Sequence, residues 1–271
     1  MNGLKTTLFL LLGTLMQACS QEEPQPTETV PVLPTRLEDA ANSVDSAAVI
    51  IRSCMERHGG ARYQDLEIRF SFRKQAYQAM RKNGLFTYSR TFTDDAGNAI
   101  RDVLSNDLFF RELNGEKAVL SQKDSLDFAS SVNSVVYFVL QPAFLADPAV
   151  HAELIGTTTI KGSPYYKIRV TFSEEGGGKD HEDEFVYWIH QENSTMDYLA
   201  YNYLTSGGGA RFREGIAFRE LEGLRFADYV NYKPVPDTRE VATFDSLFES
   251  GQMLEVSRII NEDIQVILPQ E

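Results

Sequence analysis

The chain has 271 residues, 42% hydrophobic and 11% aromatic, with 26 basic and 39 acidic residues and a formal net charge of −13. This suits one large all-β or α+β domain, or two small ones, with a sizeable core. The acidic balance and the lack of a basic stripe argue against nucleic acid and against electrostatic adhesion to anionic lipid; a solubilising surface is the plain reading.

The first 19 residues have the layout of a secretion signal: Lys5, then the apolar run Thr6 to Leu15, too short to span a bilayer as a permanent helix. The run ends in Met16-Gln17-Ala18-Cys19, which resembles the bacterial lipobox, with Met16 where Leu is usual. The resemblance implies cleavage before Cys19 and acylation of its thiol. The competing reading is an ordinary secretory peptide with a coincidental cysteine. Ser20 to Thr35 carries four prolines and no apolar periodicity. Such a tether reaches roughly 50 Å at about 3.1 Å per residue. Gln21-Glu22-Glu23 resembles the export tags of some Bacteroidota surface lipoproteins. Cys19 and Cys54 are the only cysteines, so an acylated Cys19 leaves Cys54 without an intramolecular partner.

Leu37 to Arg57 reads as a helix with Val44, Ala47, Ala48, Ile51, Cys54 and Met55 on one face. Gly59 is its expected left-handed C-cap, and His58 a cation in its last turn. The period then changes from 3.6 to 2. Leu66, Ile68, Phe70 and Phe72 alternate with polar residues, and Phe86, Tyr88 and Phe92 share a face with Arg90. Turns at Asn83-Gly84, residues 95–98 and Asn114-Gly115 separate further short strands, the last reaching Gln122. Asp124 to Leu145 interrupts this meander as a helix capped by Asp124 or Ser125 and stopped by Pro142. It is apolar on too many sides for a surface helix and is expected to cross the open face of a sheet.

Strands resume at His151 to Lys161, turn at Gly162-Ser163-Pro164, and continue in Tyr165 to Ser173 with Tyr166, Ile168, Val170 and Phe172 inward. Gly176 to Leu204 reads as the central hairpin. Phe185, Tyr187 and Ile189 face one side and Val186 and Trp188 the other, so its first strand is expected to be covered on both faces. Then come Ala210 to Leu221, Leu224 to Tyr232, a short helix near Phe244 to Glu249, and strands at Leu254 to Ile260 and Ile264 to Leu268.

Asp180-His181-Glu182-Asp183 holds metal-ligand residue types, but alternation lets at most His181 with Asp183, or Asp180 with Glu182, converge. A polar turn accounts for the same residues. No HExxH, G-x-S-x-G or phosphate-cradling loop is present. Arg211, Arg213 and Arg219 share a face by alternation. Arg90 either pairs with a nearby carboxylate or awaits an acidic head group.

His58-Gly59-Gly60, Ser131 to Val135, Asp147 to Val150, Gly176 to Asp183 and Met196 to Tyr201 together resemble an uncharacterised family of Bacteroidota lipoproteins, over roughly residues 45 to 232. The order of helix, meander, crossing helix and second meander is distantly similar to the lipoprotein carriers LolA and LppX. That likeness implies an α+β fold: a curved antiparallel sheet, or half-barrel, with an N-terminal helix and a crossing helix over its concave face. The expected organisation is a signal peptide over 1–19, a tether over 20–36 and one half-barrel domain over 37–271. The expected function is a lipoprotein anchored in the cell envelope, on the periplasmic side of the outer membrane or at the cell surface, holding a lipid or acyl chain. Its cavity residues would be Phe70, Phe72, Phe86, Tyr88, Arg90, Tyr166, Ile168 and Trp188. The alternatives are a hydrolase with a metal near Asp180 to Asp183, and a structural lipoprotein with a filled core. No cofactor is implied.

Overall fold

The computed structural model describes residues 37–174, 182–204 and 207–268. Cys19, the signal segment and the tether lie outside them, as do Asp180 and His181. Helix α1 (Leu37–His58) buries Ala47, Ile51 and Cys54 in one core with Ile168, Tyr187 and Leu199. Ala48, expected on this face, is exposed, and the Val44 side chain lies outside the described ones. Gly60, not Gly59, takes the left-handed conformation at the helix end, with φ +57. Gly59 is extended and serves close approach, since a Cβ there would sit 2.4 Å from Leu224 Cδ2.

The strands are β1 (Asp65–Phe72), β2 (Gln75–Lys82), β3 (Leu85–Thr93), β4 (Ala99–Ser105), β5 (Phe109–Leu113) and β6 (Glu116–Lys117), then β7 (Val150–Ile160), β8 (Ser163–Phe172), β9 (Phe185–His190), β10 (Met196–Tyr203), β11 (Gly209–Leu221), β12 (Leu224–Pro234), β13 (Met253–Ile259) and β14 (Glu262–Ile267). All pairings are antiparallel. They form two open seven-stranded sheets, ordered β14-β1-β2-β3-β4-β5-β6 and β13-β12-β11-β10-β9-β8-β7. With three α-helices among the described residues, the class is α+β, as the pattern of elements predicts. Ile260 and Asn261 carry the chain from the edge of one sheet to the edge of the other.

Both residues of the turns at Asn83-Gly84, Asn114-Gly115, Lys161-Gly162 and Glu222-Gly223 have positive φ, the type I′ signature that suits the strand twist. The turn after β7 is therefore Lys161-Gly162, one position before the expected one. Strand β2 escapes the alternation reading because Tyr77 and Ala79 are its only buried residues. Beyond Lys117 the chain does not continue as a strand; it enters α2 (Gln122–Val139). The cap of α2 is Ser121, whose Oγ accepts from the backbone N–H of Asp124 at 3.1 Å.

Helix α2 sits between the sheets. Val132, Val136 and Val139 pack on Leu66, Ile68, Phe70 and Tyr88, while Tyr137 and Phe138 pack against Tyr187, Leu199 and their neighbours on the second sheet. This two-sided burial explains its broad apolar surface. A third core lies on the other face of the second sheet, where Val186, Trp188 and Phe212 meet Val241 and Phe244 at the start of α3 (Phe244–Glu249). All six residues of β9 are buried, because α1 and α2 cover one face and α3 the other. Fully burying one such Phe or Ile side chain contributes about 1.5–3 kcal/mol, and β9 is buried along its whole length. Among the described residues, no helix is long and apolar enough to cross a membrane.

Candidate functional site

The space left between α2 and the inner face of the second sheet is a cavity of about 850 Å³. Its helix wall runs from Asp127 to Val139. Its sheet wall takes Phe172 from β8, Phe185 from β9, Tyr201 from β10, Arg211 and Arg213 from β11, Asn231 from β12 and Ile259 from β13. Phe72 at the end of β1 and Arg73 in the turn that follows close one side.

The aromatic wall is a connected stack. Phe185 lies 5.3 Å from Tyr201 and 5.9 Å from Tyr187, near parallel to both, and Phe172 meets it edge-on at 5.8 Å. Tyr137 stacks on Phe144 at 5.0 Å, and its hydroxyl lies 3.3 Å from that of Tyr187, which also accepts from Gln141 Nε2 at 3.1 Å. Burial raises the phenols of Tyr137 and Tyr187 and pushes Tyr229 up to about 12. All three stay protonated and act as neutral polar groups in an apolar wall.

The charge in this wall belongs to Arg213. Its residue is 8% exposed, and its guanidinium carbon stands 3.7 Å over the Phe138 ring and 5.2 Å from that of Tyr201. Nη2 donates to the Tyr201 hydroxyl at 2.9 Å, and Nε has no partner among the described residues. No carboxylate among the described residues pairs with Arg213 or with Arg211. Cation–π contact offsets part of the cost of burying the guanidinium. Two acids, Asp127 and Asp183, also line the cavity, and both have interactions of their own.

Arg90 is a structural residue. Its Nε and Nη2 donate to Asp102 Oδ2 at 3.0 and 2.5 Å, and Nη1 reaches Ser131 Oγ on α2 at 2.8 Å. Arg111 adds two bonds to the same fully buried carboxylate and stacks on Phe128 at 3.5 Å. This cluster ties the first sheet to α2. Arg219 does not share the face of Arg213. A bulge between Ile216 and Arg219, with Ala217 at φ +47, adds one residue to β11 and reverses the alternation. Arg219 instead donates to Asp228 Oδ1 at 3.0 Å and to the Asn261 carbonyl at 2.6 Å, pinning the joint between the sheets.

Of the eight cavity candidates only Phe72 lines this space. Phe70 and Tyr88 are buried under α2 on the first sheet. Phe86 stacks on Tyr88 at 4.5 Å beside a separate 300 Å³ hollow. Tyr166 and Ile168 pack in the core with α1. Trp188 lies on the opposite face of the sheet, edge-on to Phe212 at 5.3 Å. Of the metal pair, Asp183 lines the cavity and His181 is outside the described residues, among which no three His, Cys, Asp or Glu side chains converge. His58 is a buried acceptor, not a helix cap: Nε2 receives the backbone N–H of Met196 at 3.0 Å. The residues that sequence reasoning missed as cavity lining, Tyr137, Phe138, Tyr201 and Asn231, come from three separate elements. Phe172, read as inward, and Arg213, on a face with Arg211, did carry a signal.

Solved structures with similar architecture include a LolA superfamily protein from Nitrosomonas europaea (13% identity, 83% of this chain and 94% of that one, TM-score 0.46). A DUF1329 family protein from Desulfovibrio piger shares 11% identity over 82% of this chain and 92% of its own, with TM-score 0.41. The lipoprotein LppX from Mycobacterium tuberculosis shares 13% identity over 59% of this chain and 90% of its own, with TM-score 0.26. No curated protein matches the sequence. The match that extends along the chain is to a family model over residues 37–261, and on it the chain belongs to DUF6503, a family of unknown function.

Proposed function

We propose that the protein is a lipoprotein of the cell envelope, held by an acyl group on Cys19, whose domain binds or carries a lipid or acyl chain in the cavity between α2 and the second sheet. The observation that carries this reading is the cavity itself. About 850 Å³ walled by Tyr137, Phe138, Phe172, Phe185 and Tyr201 is the size and character of a site for a small apolar or amphiphilic ligand. A core closed on itself would have filled that space at native packing density. The tether of residues 20–36 would let such a domain work away from the membrane that anchors it.

The test is native mass spectrometry of the protein purified from its own host, beside a Ser134→Trp variant that puts an indole into the helix wall of the cavity. Lipid that copurifies with the wild type and is lost from the variant supports the reading. A wild-type protein that carries no lipid, and takes none up from mixed vesicles, overturns it.

A further inference from the structure

Register places a polar row across the inner face of the second sheet. Arg213 on β11 stands directly opposite Asn231 on β12, and Asn231 stands opposite Ser257 on β13. Directly opposed residues in antiparallel strands hold their Cβ atoms about 4.5–5.5 Å apart, so the three side chains form one continuous strip. All three line the cavity, as does Asn261 in the joint that follows β13.

Three buried polar atoms of this strip have no partner among the described residues: Arg213 Nε, Asn231 Oδ1 and Asn261 Oδ1. Asn231 Nδ2 is engaged with Ser257 Oγ at 3.2 Å, and Asn261 Nδ2 with the Ala227 carbonyl at 3.4 Å. A buried polar group without a partner costs about 1–3 kcal/mol. Three of them lie in the wall of one cavity, and one belongs to an arginine that lines it with no carboxylate partner among the described residues. Arg211, two residues along the same face and about 7 Å from Arg213 at the strand rise, adds a second cation without a described acid partner.

We infer that this strip is a head-group site and that the ligand is an anionic amphiphile, with a carboxylate or phosphate on Arg213 and its apolar tail along Phe138, Phe172 and Phe185. The inference rests on the cavity being a ligand site and goes further in naming the chemistry of the ligand. A guanidinium held between Phe138 and Tyr201 is preorganised, and a charge-assisted hydrogen bond to an oxyanion is about twice as strong as a neutral one.

The experiment uses the full chain with Cys19→Ser, which keeps it unacylated, and the fluorescent probe dansylaminoundecanoic acid beside its methyl ester. The acid should bind at least about tenfold more tightly than the ester, the worth of one charge-assisted hydrogen bond. Arg213→Gln should bring the two within about twofold, and Arg213→Lys should restore part of the preference. Displacement by palmitate but not by lysophosphatidic acid assigns a carboxylate head, and the reverse assigns a phosphate. Equal binding of acid and ester by the unsubstituted protein overturns the head-group site and leaves the cavity reading standing. Binding of neither probe removes both. Should Arg213→Gln not fold, the acid-to-ester ratio of the unsubstituted protein decides alone.

Discussion

His58, at the end of α1, accepts the backbone N–H of Met196 through Nε2 at 3.0 Å, joining two points 138 residues apart. The ring is 3% exposed, and burial, helped by Arg225 and Arg57, lowers its pKa from 6.5 to about 3. The acceptor role agrees with that direction, because a proton on Nε2 would face the N–H it now receives. Between those two values the unfolded chain binds a proton that the folded chain refuses. The stability from neutral His58 is fully present above about pH 6.5 and is lost as pH falls toward 3, at about 1.4 kcal/mol per unit. Urea midpoints at pH 7.5 and 5 should therefore differ strongly in the wild type and much less in His58→Gln. A variant whose midpoint falls as steeply as the wild type's would show that other groups drive the loss.

Asp102 is a shared anchor. It is fully buried and takes both Arg90 and Arg111, and Arg90 also reaches Ser131 on α2. Asp102→Ala leaves two guanidinium groups beside an apolar wall and should cost about 3–5 kcal/mol. The triple replacement Arg90→Met, Asp102→Leu, Arg111→Met should recover most of that loss, since it removes the charges together. Chemical denaturation of the three proteins measures it, and a triple variant no more stable than Asp102→Ala would contradict the account.

Cys54 is a core residue and not a reactive one. It is fully buried on α1, and burial raises its thiol well above the usual value. In a Cys19→Ser background, a disulfide-exchange reagent at mildly alkaline pH should label it only at the rate of unfolding and at once in strong guanidinium. Prompt labelling of the folded protein would mean that this face of α1 opens.

The bulge in β11 sends Arg219 to the joint between the sheets. There Asp228 accepts from Arg219 and from the backbone N–H of Asn261, each at 3.0 Å. Asp228→Ala strips partners from both and should cost about 1–3 kcal/mol. Hydrogen exchange should rise first in β13 and β14, which meet at Asn261. Even loss of protection over the whole chain would place the effect elsewhere.

Much of this architecture was readable from local chemistry. Residues Leu66 to Phe72 alternate and form β1, and Phe244 to Glu249 forms α3 with the expected bounds. Phe185 to His190 is apolar on both faces and is buried on both. Strand β2 was not readable, because it buries only Tyr77 and Ala79 and is held by its neighbours more than by its own side chains. The site was harder still. Arg90 and Arg213 look alike in sequence, each an arginine at an inward strand position, yet Asp102 stands opposite Arg90 in the register and Asn231 stands opposite Arg213.

The sequence by itself determined most of the elements and many of their exposed and buried faces, since alternation, helical periodicity and turn residues act within a few positions of one another. It also carried a stretch that resembles a lipobox, ending at Cys19, and the family pattern over residues 37–261. Only the tertiary structure decided which arginine is neutralised and where space is left open. Those outcomes depend on pairing between strands distant in the chain, on one extra residue in β11, and on α2 resting between two sheets and leaving one side of the gap unfilled.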